Sequence, residues 1–259
     1  MGDRLTGRKI LVTGASRGIG YAIAESFAVQ GADLVVSATS ESSLEKIKET
    51  LSAFDVEVHS VAADVSNHDD VSRLFARSIE IFPHLDGVVN NAGIHIGKPF
   101  TEYDMEEFDR IMKVNVYSVF HLTQLAIKHM QSLGRGKVIN IASTAGKWES
   151  MNQAAYNTTK HAVVGLTRCV ALENAKNNIN VNAICPGLVE TDIIHKAALQ
   201  MEETGQASEE FWQMLNKQVP MGRILQPEEI AHIAVYLASS ESDGMTGQTI
   251  TISGGMRMG

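Results

Sequence analysis

Seven short β-branched and aliphatic runs, separated by stretches of helical period, constrain this chain more than any other feature. They occupy residues 10–13, 34–36, 56–58, 87–89, 137–141, 179–183 and 249–252. Most are continuously apolar rather than alternating, the pattern of strands covered on both faces of a parallel sheet. Between them apolar residues recur at helical spacing, as in Ile23 and Phe27 or Val71, Leu74, Phe75 and Ile79. Helix starts are expected at Ser42 with Glu45, more loosely at Thr101 with Asp104, and at Pro227 with Glu228 and Glu229. No repeat, linker or shift in composition interrupts the alternation. It predicts one doubly wound α/β domain over residues 1–259 with a seven-stranded parallel sheet. Residues 192–220 depart from it, being long, mixed in polarity and holding Met201, Phe211, Trp212 and Met214, and they predict a helical lid over a site.

Straight after the first run comes Thr13-Gly14-Ala15-Ser16-Arg17-Gly18-Ile19-Gly20. Glycines at 14, 18 and 20 allow a tight turn, close approach of a pyrophosphate and close packing of the next helix. The same cluster also suits a plain strand–helix connection. Its place after the first strand favours the nucleotide reading, with phosphates at a helix N-terminus. A ribose-binding acid is expected near the end of the second strand for NAD(H). That region reads Val36-Ser37-Ala38-Thr39-Ser40, and Glu41 already suits the first turn of a helix. With no carboxylate there to repel a 2′-phosphate, and Arg17, Thr39 and Ser40 to receive it, NADP(H) is expected over NAD(H).

Tyr156 and Lys160 are four apart in a helical stretch and leave the same face. A lysine beside a phenol favours phenolate and is expected to lower its pKa toward working pH. Ser143 ends the fifth strand, at the edge where open α/β sheets bind ligands, and suits a hydrogen bond to a substrate oxygen. Such a pair alone is more often a solvated helix face.

Together these motifs resemble the classical short-chain dehydrogenase/reductases along essentially the whole chain. The resemblance rests on Gly14 to Gly20, Asp64, Asn90-Asn91-Ala92-Gly93, Asn115, Ser143, Tyr156 with Lys160, and Pro186-Gly187 with Thr191. It implies a Rossmann domain and a catalytic tetrad of Asn115, Ser143, Tyr156 and Lys160. It also implies a cofactor cleft lined by Gly14, Ser16, Arg17, Gly18, Ile19, Gly20, Thr39, Ser40, Asp64 with Val65, and Asn91, Ala92 and Gly93. Tyr156, Lys160 and the segment Pro186, Gly187, Val189 and Thr191 complete that cleft. The segments 142–147 and 220–223 are similar to those of 3-oxoacyl-thioester reductases and polyketide ketoreductases, with hydroxysteroid, sugar or other small secondary alcohols as the alternative. Substrate contacts are expected from His95, Ser143, Trp148, Tyr156 and Leu188. The resemblance further implies a homotetramer built on the helices around 112–125 and 154–170 and on the last strand. A nucleotide sensor without chemistry would have no need of the tetrad.

Charge and composition bound the partners. Lysine and arginine number 22 against 30 acids, a net charge of −8, which disfavours nucleic acid and anionic membrane surfaces. Asn177 and Asn178 stand where carrier-protein reductases usually place basic residues, so the surface does not support an acyl carrier protein as partner. Two cysteines make no disulfide framework, and residues 10–12 are too short for an export or membrane segment, which points to the cytoplasm. The nine histidines form no metal motif, and Ser143 lacks the Gly-x-Ser-x-Gly of a hydrolase elbow.

Overall fold

Each strand alternates its side chains between two helical layers. In β1 (Lys9–Thr13) Ile10 and Val12 face the first layer and Leu11 faces the second. The computed structural model describes residues 3–192, 194, 195, 198, 199 and 208–258, with Ser208 in backbone only. The other strands are β2 (Asp33–Ala38), β3 (Val58–Ala62), β4 (Gly87–Asn90), β5 (Gly136–Ile141), β6 (Ile179–Pro186) and β7 (Thr249–Ile252). They form one parallel sheet in the order β3-β2-β1-β4-β5-β6-β7. The order reverses between β1 and β4, opening a crevice at their carboxyl ends.

The first layer holds α1 (Gly18–Val29), α2 (Glu41–Leu51) and α8 (Pro227–Ala238), packed on Ile10, Val12, Leu34, Val36 and Ile139. The second holds α3 (His68–Ile81), α5 (Ser118–Leu133) and part of α6 (Ala154–Asn174), packed on Leu11, Val35, Val88, Val138 and Val181. A short α4 (Met105–Met112) runs through a π turn, Lys113–Tyr117, into α5. Helix α7 (Ser208–Gln218) contributes Phe211 and Leu215 to a separate small core with Ala198, Val219 and Ile224, against which Leu188 and Met256 pack. The expected lid, 192–220, therefore holds helix and its own core where it is described. Met201 and residues 193, 196, 197, 200 and 202–207 lie outside the described residues.

Three local expectations shift. The third strand lies at Val58–Ala62 rather than 56–58, because an edge strand half open to water accommodates His59 and Ser60. Ser40 rather than Ser42 precedes α2, and no side chain caps it. Asp104 itself is the N-cap of α4, closing a capping box with Glu107 through bonds of 2.7 and 3.3 Å.

Candidate active site

The glycine turn is built by what it must avoid. Gly14 has φ +63°, and a Cβ there would stand 2.8 Å from Ala92 Cα. A Cβ on Gly20 would fall well inside 3.0 Å of both Gly14 O and Asn91 Nδ2. Asn91 staples this turn to β4: its amide donates to the carbonyls of Thr13 and Gly14, each at 3.0 Å. Thr13 Oγ1 accepts from the N–H groups of Asn91 and Ala92 at 3.1 and 3.2 Å. Helix α1 then begins with neither a capping side chain nor an acid in its first turn. Its free N–H groups face the crevice, the arrangement that suits a phosphate.

That crevice is a cleft of about 940 Å³, large enough for a dinucleotide and a small partner molecule. Its walls include Gly14, Arg17, Gly18, Ile19, Gly20, Thr39, Asp64, Val65, Asn91, Ala92, Gly93, Pro186, Gly187, Val189 and Thr191. These residues fit a dinucleotide, because bare glycine backbone and an uncapped helix end meet at one side of the cleft. Two expected contacts are not among the walls. Ser16 follows Ala15, whose N–H is held by Ser37 O at 3.0 Å and whose methyl is buried. The Ser40 hydroxyl is taken by Ser43 Oγ at 2.8 Å. Arg17 lies 3.4 Å from Asp192, an exposed ion pair joining the glycine turn to the start of the lid segment. Asp64 Oδ1 accepts from the N–H and hydroxyl of Ser66 at 2.9 and 2.8 Å, which fixes the turn after β3.

Three of the four expected tetrad residues, Ser143, Tyr156 and Lys160, line the cleft, while Asn115 is buried behind Gly93 and is not among the walls. Ser143, two residues past β5, hydrogen-bonds the Tyr156 hydroxyl and also accepts from the Ala145 N–H at 3.1 Å. Lys160, one turn along α6, is buried and donates to Ile141 O at 2.9 Å, with Nζ 5.6 Å from the Tyr156 ring centroid. Asn115 sits in the π turn, where its side chain pairs with both backbone groups of Ile94 at 2.9 Å and donates to Thr159 Oγ1 at 3.2 Å. Gly93 separates the two: a Cβ there would lie 3.4 Å from Asn115 Oδ1 and 3.8 Å from Lys160 Nζ. The π turn itself was not readable, since side-chain period does not reveal where an i→i+5 bond replaces an i→i+4 one.

Electrostatics here differ from the sequence expectation. Burial raises the Tyr156 phenol above its ordinary pKa, and the Ser143 bond opposes this only in part. Lys160 is itself pushed down to about 8 by burial. The expected lowering of Tyr156 by Lys160 is therefore overridden, because desolvation acts against the charged form of each group.

The cleft is also walled by His95, Gln153, Leu188, Gln218 and Arg257. The His95 ring packs edge-on against Tyr156 at 4.8 Å, and desolvation lowers its pKa. Trp148 does not line this cleft. Lys147 Nζ lies 5.0 Å from its ring centroid, and the indole borders a neighbouring groove with Asn157 and His161. Its place in sequence near Ser143 suggested the cleft, but the cation holds the ring on the other side of the loop. Gln153, Gln218 and Arg257 were missed, and nothing in their local sequence marks them.

A family model described as enoyl-(acyl carrier protein) reductase matches residues 14–257. The chain is 33% identical over 254 residues to the 3-oxoacyl-[acyl-carrier-protein] reductase FabG of Aquifex aeolicus, covering 98% of both chains. It is 34% identical over 256 residues to D-beta-hydroxybutyrate dehydrogenase of Cupriavidus necator, covering 97% of this chain and 98% of that one. Among solved structures, a tryptophan variant of actinorhodin polyketide ketoreductase with NADPH is 33% identical, with a TM-score of 0.91 over 99% of both chains. With a parallel seven-stranded sheet, a glycine turn at its switch point and a buried serine–tyrosine–lysine group beyond it, the chain belongs to the short-chain dehydrogenase/reductase family, whose oxidoreductases act on secondary alcohols and ketones.

Proposed function

We propose that the protein is an NADP(H)-dependent ketoreductase, acting on a 3-oxoacyl thioester or a related ketone. The cofactor assignment is carried by the end of β2. Thr39 lines the cleft there, no carboxylate follows before Glu41, and Arg17 stands on the facing turn. A 2′-phosphate would meet a cation and a hydroxyl at that point, in place of the Asp192 carboxylate that now pairs with Arg17. Asp192 gives up Arg17 when the phosphate binds. The NADPH held by the similar ketoreductase structure is in keeping with this reading.

When bound, the nicotinamide supplies or takes the hydride at the reacting carbon. In the reducing direction the Tyr156 hydroxyl donates its proton to the carbonyl oxygen as the carbon accepts the hydride, giving the alcohol. Ser143 donates a hydrogen bond to the same oxygen. Lys160, cationic below about pH 8, stabilises the charge left on Tyr156 and favours its reprotonation. Asn115 holds Ile94 and Thr159, so it acts through the shape of the wall between Gly93 and α6.

The resemblance to a carrier-protein reductase is weighed against this chain's charge of −8. That charge disfavours an acidic carrier protein and leaves free, CoA-linked and hydroxysteroid-like substrates open. Residues 192–220 serve as the lid, with α7 resting on Leu188 and Met256. A homotetramer in the cytoplasm completes the reading. Tyr117, Phe120 and Leu172 are exposed at 55%, 54% and 82%, on the helices the family uses for assembly. Steady-state rates with NADPH and NADH against a panel of ketones test the proposal. Higher kcat/KM with NADPH is expected, and a preference for NADH overturns the cofactor assignment.

A further inference from the structure

Arg257 is exposed and lines the cleft, with its backbone fixed and its charge unmatched among the described residues. Buried Ser253 accepts the Arg257 N–H at 3.2 Å and donates its hydroxyl to the Arg257 carbonyl at 3.1 Å. This turn is pressed onto the segment after β6, where a Cβ on Gly187 would stand 2.9 Å from Ser253 Cα. The side chain of Arg257 lines the cleft and makes no ion pair among the described residues. Several other arginines of this acidic chain are matched, among them Arg4 with Glu241, Arg223 with Glu229, and Arg17, on the same cleft, with Asp192; Arg110, which also lines the cleft, makes no ion pair among the described residues. Gln218, at the end of α7, also lines the cleft, and the residue after it, Val219, meets the Arg257 segment, where a Cβ on Gly254 would stand 2.5 Å from Val219 Cγ1. Glu149 also lines the cleft but belongs to the segment after β5, separated from the Arg257 segment by β6.

We infer that Arg257 receives an anionic group of the substrate, with Gln218 as a neutral donor beside it. This rests on the oxidoreductase reading and narrows it. The substrates are oxo acids or the corresponding hydroxy acids, or acyl thioesters whose carrier bears phosphate, rather than neutral ketones. A guanidinium presents paired donors that match the two oxygens of a carboxylate or phosphate. Exposed and lining the cleft, it selects by charge where Leu188 and Met256 offer only apolar surface.

The test uses matched pairs of substrate with NADPH and with NADH: 3-oxo and 2-oxo acids of four to ten carbons against their methyl esters, and 3-oxoacyl-CoA against the N-acetylcysteamine thioester. The charged member of one set is expected to have at least a tenfold higher kcat/KM in the unmutated protein. A charge-assisted hydrogen bond is worth roughly ten- to a hundredfold. Arg257→Gln should bring the charged-to-neutral ratio within about threefold of unity, chiefly through KM, and Arg257→Lys should restore part of it. Preference for the free acid identifies a carboxylate, and preference confined to the CoA pair identifies a phosphate. Equal use of both members by the unmutated protein, or a ratio unchanged in Arg257→Gln, overturns the inference while leaving the ketoreductase standing. Absence of turnover across every pair with both cofactors overturns the oxidoreductase reading first.

Discussion

Gly20→Ala places one methyl group where the glycine turn has no room. The added carbon meets Gly14 O and Asn91 Nδ2 well inside 3.0 Å. The first is backbone, held by the conformation of Gly14 at φ +63°, and the second is tied by two hydrogen bonds of 3.0 Å. Neither yields cheaply. Overpacking of this kind costs about 1–3 kcal/mol, and loss of one Asn91 bond adds about 1 kcal/mol. Gly20 is also the third residue of α1, so the better helix propensity of alanine returns about 1 kcal/mol. The net is a destabilisation of about 1–3 kcal/mol, and at about 2–4 °C per kcal/mol for a chain of this size Tm should fall roughly 2–12 °C. The turn also shapes the proposed phosphate site, so NADPH affinity, followed by quenching of protein fluorescence, should weaken at least tenfold. Gly244→Ala is the control, because nothing lies within 4 Å of a Cβ there. A Gly20→Ala protein with Tm within 1 °C of the unmutated one and NADPH affinity within twofold would refute the claim that the turn is closed to a side chain.

Three further outcomes follow from the same geometry. Arg17→Ala combined with Ala38→Asp should reverse the preference from NADPH to NADH, since the new carboxylate accepts ribose hydroxyls and repels a 2′-phosphate; comparison of kcat/KM for the two cofactors checks it. Lys160 is deprotonated above about pH 8 in the folded chain but keeps its proton to about 10.4 when unfolded. The unfolded chain binds more protons in that window, so stability contributed at this site rises with pH between 8 and 10.4, and urea unfolding of Lys160→Met should lack that rise. Light scattering in dilute buffer should give four times the 28.1 kDa of one chain; Phe120→Glu on the exposed face of α5 should shift the mass downward.

The strand pattern was legible because most strands of a parallel sheet are buried on both faces and therefore read as unbroken apolar runs. Ile10 to Val12 and Leu34 to Val36 show this plainly, whereas Asn140, Asn180 and Asn182 interrupt the runs of β5 and β6. The edge strand β3 was displaced in the reading because His59 and Ser60 interrupt the run, and an edge position tolerates them. The order of strands is not carried by period at all. The sequence pattern gives the doubly wound class, and the order β3-β2-β1-β4-β5-β6-β7 is read from the structure. At the site, type and spacing alone left Tyr156 and Lys160 as a plain helix face, and the family resemblance singled them out together with Ser143. Their electrostatics were not legible, since spacing on a helix gives neighbourhood but not desolvation, and burial dominates both Tyr156 and Lys160. Trp148 misled because nearness in sequence to Ser143 does not fix the side of a loop. Arg257 and Gln218 were invisible because the cleft assembles them from segments some forty residues apart.

Single-turnover reduction by Tyr156→Phe, measured beside its NADPH affinity, tests the central claim most directly. The variant keeps the ring that packs against His95 and loses the hydroxyl bonded to Ser143. General acid–base catalysis contributes roughly 100- to 10,000-fold, so hydride transfer to the best ketone of the panel should slow by at least that factor while NADPH binds within about threefold of the unmutated protein. A rate within tenfold of the unmutated protein, with binding intact, would remove Tyr156 as the proton donor and contradict the account.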